Sequence, residues 1–239
     1  VRTTTGAGLR AFLDDWAVRH VQQAEGGYFT NARVLFLSGL LNYRMAAVLG
    51  ELTRNLRFAD PATLDGLPLV LRSLRALEAY AAVPVPGRRS RLSRGLADGR
   101  PPRLAWSRAA IRRAMAWAHF VVGTGREVEQ YSAEELRRKV VISSSITDDQ
   151  LARLGEKGVY VVIDRTPMLL DRVVGLNVID AMILAALDKG PQEVQDDDYL
   201  HALGGLDLSP RMLYPTGRFR RINRFAFVIH PLQSDVRCW

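Results

Sequence analysis

His119–Asp164 reads HFVVGTGREVEQYSAEELRRKVVISSSITDDQLARLGEKGVYVVID. Short apolar runs punctuate it: Phe120-Val121-Val122, Val140-Val141-Ile142 and Val159 to Ile163. Each is closed by small or polar residues, Gly123-Thr124-Gly125, Ser143-Ser144-Ser145 and Asp164 in turn. Continuous apolar runs of this length are the pattern of strands buried on both faces. Helical segments separate them. Tyr131 to Arg138 carries Ser132 and Glu135 at the spacing of a capping box, and Thr147 to Lys157 is stopped by Gly158. Strands alternating with helices build βαβ units and a mainly parallel sheet.

The same rhythm extends outward. On the N-terminal side, Val34 to Leu37 is a further buried-strand run, ending at Ser38-Gly39. A helix from Leu41 to Leu52 follows, then a strand over Leu56 to Asp60, stopped by Pro61. Residues 67–82 have a helical pattern, as do Trp106 to Ala118, with Ser107 as a cap. Residues 9–23 form an amphipathic helix with Leu9, Phe12, Leu13, Trp16 and Val21 on one side, broken by Gly26-Gly27. Beyond Asp164, helices are predicted over Gly175 to Leu187 and Asp197 to Leu203, the acidic start of the latter suiting its dipole. The expected fold is α/β and Rossmann-like, a mostly parallel sheet with helices on both faces. Its expected divisions are a leading helix over 1–27, the nucleotide-binding domain over 28–190, a helical and loop extension over 191–224, and the start of a further domain over 225–239. The first residue, Val1, and the apolar run Phe225–Ile229 close to the end suggest a fragment of a longer chain.

Composition narrows the class. The 239 residues are 48% hydrophobic and 24% charged, ordinary for a globular chain. Cys238 is the only cysteine, which excludes an internal disulfide. No apolar run reaches the ~18 residues needed to span a bilayer, and no secretory signal pattern opens the chain, so a cytoplasmic setting is expected. The net charge of +8 is local. Gly87 to Arg113 holds nine arginines against the single Asp98, which leaves the rest of the chain neutral. A solvated loop over 87–104 is preferred there over contact with nucleic acid or an anionic membrane, because no aromatic residues alternate with the arginines. His20, His119, His201 and His230 have no metal-ligand spacing. Asp171 and Asp180 read as surface positions.

Chemistry in an open parallel sheet sits beyond the carboxyl ends of its strands. The segments there are Ser38-Gly39, Asp60, Gly123-Thr124-Gly125, Ser143-Ser144-Ser145 and Asp164-Arg165-Thr166. All are small, hydroxylated or charged, as a phosphate- and ribose-holding edge needs. Gly39 follows a strand and precedes a helix, and Asp60 lies 21 positions on. A dinucleotide fold places its ribose-binding carboxylate about 20 residues after its glycines. The full G-x-G-x-x-G is absent, and an aspartate closing a turn before Pro61 is the competing account of Asp60. A tight turn competes for Gly123-Thr124-Gly125, and helix capping by Thr147 for the serines.

Several of these stretches resemble bacterial quinate 5-dehydrogenase-like proteins, relatives of the shikimate dehydrogenases, over about residues 30–190. The stretches are Arg33 to Ser38, Phe58-Ala59-Asp60, Gly66-Leu67-Pro68, Leu71 to Leu74, Arg138 to Thr147, Gly158 to Pro167 and Gly175 to Ala181. Arg224 to Leu232 is similar to the opening of predicted amino-acid dehydrogenases and acyl-carrier-protein reductase-like proteins. The resemblance implies the NAD(P)-binding portion of an oxidoreductase, moving hydride on a small hydroxy acid with NAD or NADP. It implies Gly39, Asp60, Thr124, Ser143 and Ser144 as cofactor-side residues, and Thr166 and Asn177 on the side of the small-molecule substrate. Shikimate dehydrogenases carry a catalytic lysine–aspartate pair ahead of the nucleotide domain. Here Lys139, Lys157 and Lys189 all lie later, so no catalytic residue is assigned. A non-catalytic α/β small-molecule-binding or regulatory module is the alternative. The oligomeric state stays open.

Overall fold

The computed structural model describes residues 6–85, 105–132, 136–166, 168–169, 172–173, 176–203, 209–215 and 218–220. Most of the arginine-rich segment, Asp171, Glu135 and everything after Arg220 lie outside them. Five short strands are parallel: β1 (Val34–Phe36), β2 (Leu56–Phe58), β3 (Phe120–Val122), β4 (Val140–Ser143) and β5 (Val161–Asp164). Two more, β8 (Arg211–Tyr214) and β9 (Arg218–Arg220), continue the sheet antiparallel beside β5. The order is β2-β1-β3-β4-β5-β8-β9. A hairpin of β6 (Met168–Leu169) and β7 (Arg172–Val173) stands apart.

Helices cover both faces, so strands such as Val34–Phe36 and Phe120–Val122 are wholly buried and read as unbroken apolar runs. On one face lie α1 (Ala7–Ala24), α2 (Tyr43–Leu52) and α4 (Leu74–Ala82). They enclose a core containing Val18, Val21, Met45, Leu49 and Leu77, with Phe36 and Phe58 stacked at 5.1 Å. On the other lie α3 (Asp60–Leu64), α5 (Ala105–Trp117), α6 (Gly125–Tyr131) and α7 (Asp148–Glu156). Their core includes Ala62, Ile111, Met115, Val128 and Leu154. The outer side of α1 carries α8 (Leu176–Leu187) and α9 (Asp196–Leu203), through Leu9, Phe12, Ile179, Ile183 and Tyr199.

The expected α/β class with a mostly parallel, doubly covered sheet holds. Local differences have physical causes. A helix with Thr124 and Glu127 as its capping box ends at Tyr131, where the sequence predicts a helix over Tyr131 to Arg138; residues 133–135 lie outside the described residues. The helix expected from residue 67 starts at Leu74, capped by Ser73. Before it, Leu71 exchanges backbone hydrogen bonds with Phe58 at 2.9 Å each way. Within the expected helical and loop extension over 191–224, Arg211–Tyr214 and Arg218–Arg220 add strands to the sheet. The leading helix is integral to the main core. Asp180 is buried, not superficial, and accepts the Tyr199 hydroxyl at 2.7 Å.

Strand order reverses between β1 and β3, the neighbours on either side of the crossover. Gly39, just past β1, is held there by space. A Cβ at this position would stand 2.4 Å from Phe58 Cδ1 and 2.9 Å from Asp60 Oδ2. Gly39→Ala is therefore expected to cost about 1–3 kcal/mol through overpacking, read as a lower denaturant midpoint with an unchanged slope.

Candidate functional site at the carboxyl edge

The reversal between β1 and β3 makes the crevice in which doubly wound sheets hold their ligands. Its walls come from the residues that close these strands. Ser38 follows β1, and Gly123-Thr124 follow β3. The Ser38 hydroxyl donates to Glu127 on α6. Thr124 donates to the other Glu127 oxygen from its backbone N–H at 2.8 Å and its hydroxyl at 3.1 Å. Thr124 Oγ1 accepts from the Glu127 N–H at 3.2 Å. The Glu127 carboxylate thus bridges the ends of β1 and β3 and stands in the crevice, half-buried.

Asp60 closes the loop beyond β1. Its Oδ2 accepts from the Gly39 N–H and its Oδ1 from the Leu40 N–H, both at 2.9 Å. The side chain is fully buried. Burial pushes its pKa up to about 6, against the two backbone N–H groups that favour the ionised form. The nearby Glu127 charge pushes it further up. A carboxylate in this state faces the protein, not a ribose, and Gly39 is occupied by packing and by Asp60.

A second set of polar contacts ties β4, β5 and β8. Asp164, fully buried, accepts from the Thr166 N–H at 3.0 Å, from the Thr166 hydroxyl at 2.7 Å and from Arg211. Thr166 Oγ1 in turn accepts from the Ser145 N–H, whose residue has φ 56°. On the opposite face Arg165 is paired with Asp14 of α1, both nearly buried, and donates to Asn42 Oδ1 at 3.1 Å. Asn42 reaches back to the Ser38 carbonyl at 2.7 Å. Burial raises the Asp14 pKa despite the opposing pull of Arg165. Ser143 Oγ, Arg165 Nε and Arg211 Nε are buried without a hydrogen-bond partner among the described residues. Ser143 and Asp164 are direct register partners.

The sequence-expected residues therefore fall into groups. Thr124 sits at the crevice, and Gly39 and Asp60 pack behind it. Ser143, half-buried Ser144 and Thr166 gather over β4 and β5. Asn177 lies exposed at the start of α8. Asp14, Asn42, Glu127 and Arg211 were missed, while Arg165 lay in a strand-end segment but had no role assigned. The Thr124-x-x-Glu127 spacing was a legible signal for Glu127. Asp14 lies in the apolar stripe of α1, between Leu13 and Ala17, which is a signal for a buried acid. Arg211 offered none, since its partner lies 47 residues away.

NAD(P) does not fit this crevice as it stands. A pyrophosphate at a strand–helix turn needs backbone N–H donors, and those of Gly39, Leu40 and Thr124 already serve Asp60 and Glu127. Among the described residues no group of three or more His, Cys, Asp or Glu could hold a metal ion. No described helix is long and apolar enough to cross a membrane. The fold and this edge define a doubly wound α/β domain whose strand ends are joined by its own carboxylates. The chain belongs to the family described as a domain of unknown function (DUF8754), matched over residues 8–215. No curated protein and no solved structure matches it.

Asp60 gives this edge a pH signature. Its pKa is raised on folding, so its contribution to stability is full at pH below about 4 and is lost as pH rises through 6. Asp14 acts in the same direction. Relative to Asp60→Asn, the wild-type chain is expected to lose about 2 kcal/mol of unfolding free energy between pH 4.5 and 7. Urea unfolding of both proteins at the two pH values measures it.

Proposed function

We propose that the domain is a non-catalytic α/β module that binds a small, hydroxyl-rich acid at its carboxyl edge. The observation that carries this is Glu127, whose carboxylate occupies the crevice and accepts from Ser38 and Thr124. A carboxylate there accepts hydrogen bonds from ligand hydroxyls, and it repels the doubly charged pyrophosphate of a dinucleotide more than the single carboxylate of a hydroxy acid. The hydroxyls of Ser38, Thr124 and Ser143 supply partners for the same kind of ligand, and Ser143 has none of its own. The implied small hydroxy acid of the quinate and shikimate dehydrogenases is of this chemical kind.

One observation favours an NAD(P)-binding portion of an oxidoreductase instead: the reversal of strand order between β1 and β3, the place where such sheets hold dinucleotides. That role requires Glu127 and Asp60 to release the donors they now engage. Calorimetric titration separates the two. Quinate or shikimate is expected to bind one-to-one, weakened about tenfold by Glu127→Ala, while Glu127→Ala leaves any binding of NAD⁺, NADH, NADP⁺ and NADPH unchanged. Dinucleotide binding that Glu127→Ala alters, with none of the hydroxy acids, would favour the oxidoreductase role and refute the module.

A further inference from the structure

At the opposite edge, where the strands begin, the chain gathers cations. Arg33 stands immediately before β1, His119 before β3 and Lys139 before β4. Val34 pairs with Phe120 and Phe120 with Val140, so these three residues line up across neighbouring strands, about 5 Å apart from one to the next. Arg57 in β2 pairs with Leu35, which faces the α5 layer. Its guanidinium lies 3.8 Å from the centre of the Trp117 ring, at the end of α5. Lys139 Nζ donates to the Ala118 carbonyl at 2.8 Å, beyond that same helix end. Arg33 Nε donates to His119 Nε2 at 3.0 Å, which makes the imidazole an acceptor there.

The cations press on one another. The antiparallel bridge between Phe58 and Leu71 sets Arg72 across from Arg57, and Arg57 is held below its ordinary pKa by burial, then by Arg72 and Arg33. Lys139 is lowered by burial, then by Arg33. Among the described residues, none of Arg33, Arg57, Arg72 and Lys139 forms an ion pair with a carboxylate. The C-terminus of α5 offers them only about half an elementary negative charge. Arg33, Arg57 and Lys139 are half-buried and Arg72 exposed, and like charges so placed raise one another's free energy until a counter-charge arrives. Their contacts with the Ala118 carbonyl, Trp117 and His119 supply no full counter-charge for the positive charges gathered on one side of one edge.

We propose that Arg33, Arg57, Arg72 and Lys139 form an anion-binding site for a phosphate group at the amino edge of the sheet, under the end of α5. The Arg57 and Arg72 forks match the geometry of phosphate oxygens, Arg33 keeps its Nη1 outside the contacts that its Nε and Nη2 make with His119, and the lysine adds a point charge. The stack on Trp117 fixes the Arg57 plane before the ligand arrives. This site lies a strand length away from the carboxyl-edge crevice and does not depend on it.

Pyrophosphate is the probe, titrated into the full chain at low salt. It is expected to bind one-to-one and to weaken about tenfold in Arg33→Gln. Exposed Arg72→Gln is expected to weaken it severalfold, and stays informative if Arg33→Gln loses its fold. Arg153→Gln, the same charge change at a distant surface pair, is expected to leave it within about twofold. A thymidine oligonucleotide in a parallel arm identifies the source of the phosphate. Tighter binding than pyrophosphate, with the same dependence on Arg33 and Arg72, assigns it to a nucleic-acid backbone. Pyrophosphate binding alone assigns it to a small phosphorylated molecule. Absence of saturable binding in both arms, or equal weakening by Arg153→Gln, overturns the proposal.

Discussion

Asp60 accepts two backbone N–H groups with its two oxygens, in full burial, and the geometry of the ligand edge follows from that. Backbone donors at the end of a parallel strand must find acceptors. Many α/β proteins leave such donors for a phosphate. Here the acceptor is built in. It ties the end of β1 to the end of β2 across 21 residues of sequence, and it demands a residue without a side chain at Gly39, pressed against Phe58. The cost of burying the carboxylate appears as its raised pKa.

The same solution recurs along the edge. Glu127 links β1 to β3 through Ser38 and Thr124. Asp164 links β5 to β8 through Arg211, and to the loop after β4 through Thr166 and Ser145. Three strand-end junctions are thus closed by carboxylates of the chain itself. Cations collect where the strands begin, around Arg33, Arg57 and Lys139. The sheet is therefore electrically polarised along its strands, acidic at the carboxyl edge and basic at the amino edge.

Most of the sheet was readable from sequence because its strands are buried on both faces. Runs such as Val34 to Leu37 and Val140 to Ile142 leave no polar alternation to confuse them. Helix starts were less legible. Thr124 and Glu127, like Ser132 and Glu135, have the spacing of a capping box and form one, which the contact with Ser38 supports, and Ser132 caps the C-terminus of that helix. At the site, position was legible and role was not. Asp60 has the spacing of a ribose-binding carboxylate, and only the coordinates reveal that both oxygens point inward. Arg165–Asp14 and Arg211–Asp164 join residues 151 and 47 positions apart, a separation no local pattern encodes.

The central claim is that Asp60 serves the backbone of its own chain and not a ligand. Its side-chain carboxyl carbon, followed by NMR as pH is varied, tests this most directly. A midpoint near 6, with the Gly39 and Leu40 amide signals moving at the same midpoint, is the result expected of a buried carboxylate holding both donors. A midpoint near the ordinary aspartate value of about 3.9, with those amides unresponsive, would place the carboxylate in water and contradict the account.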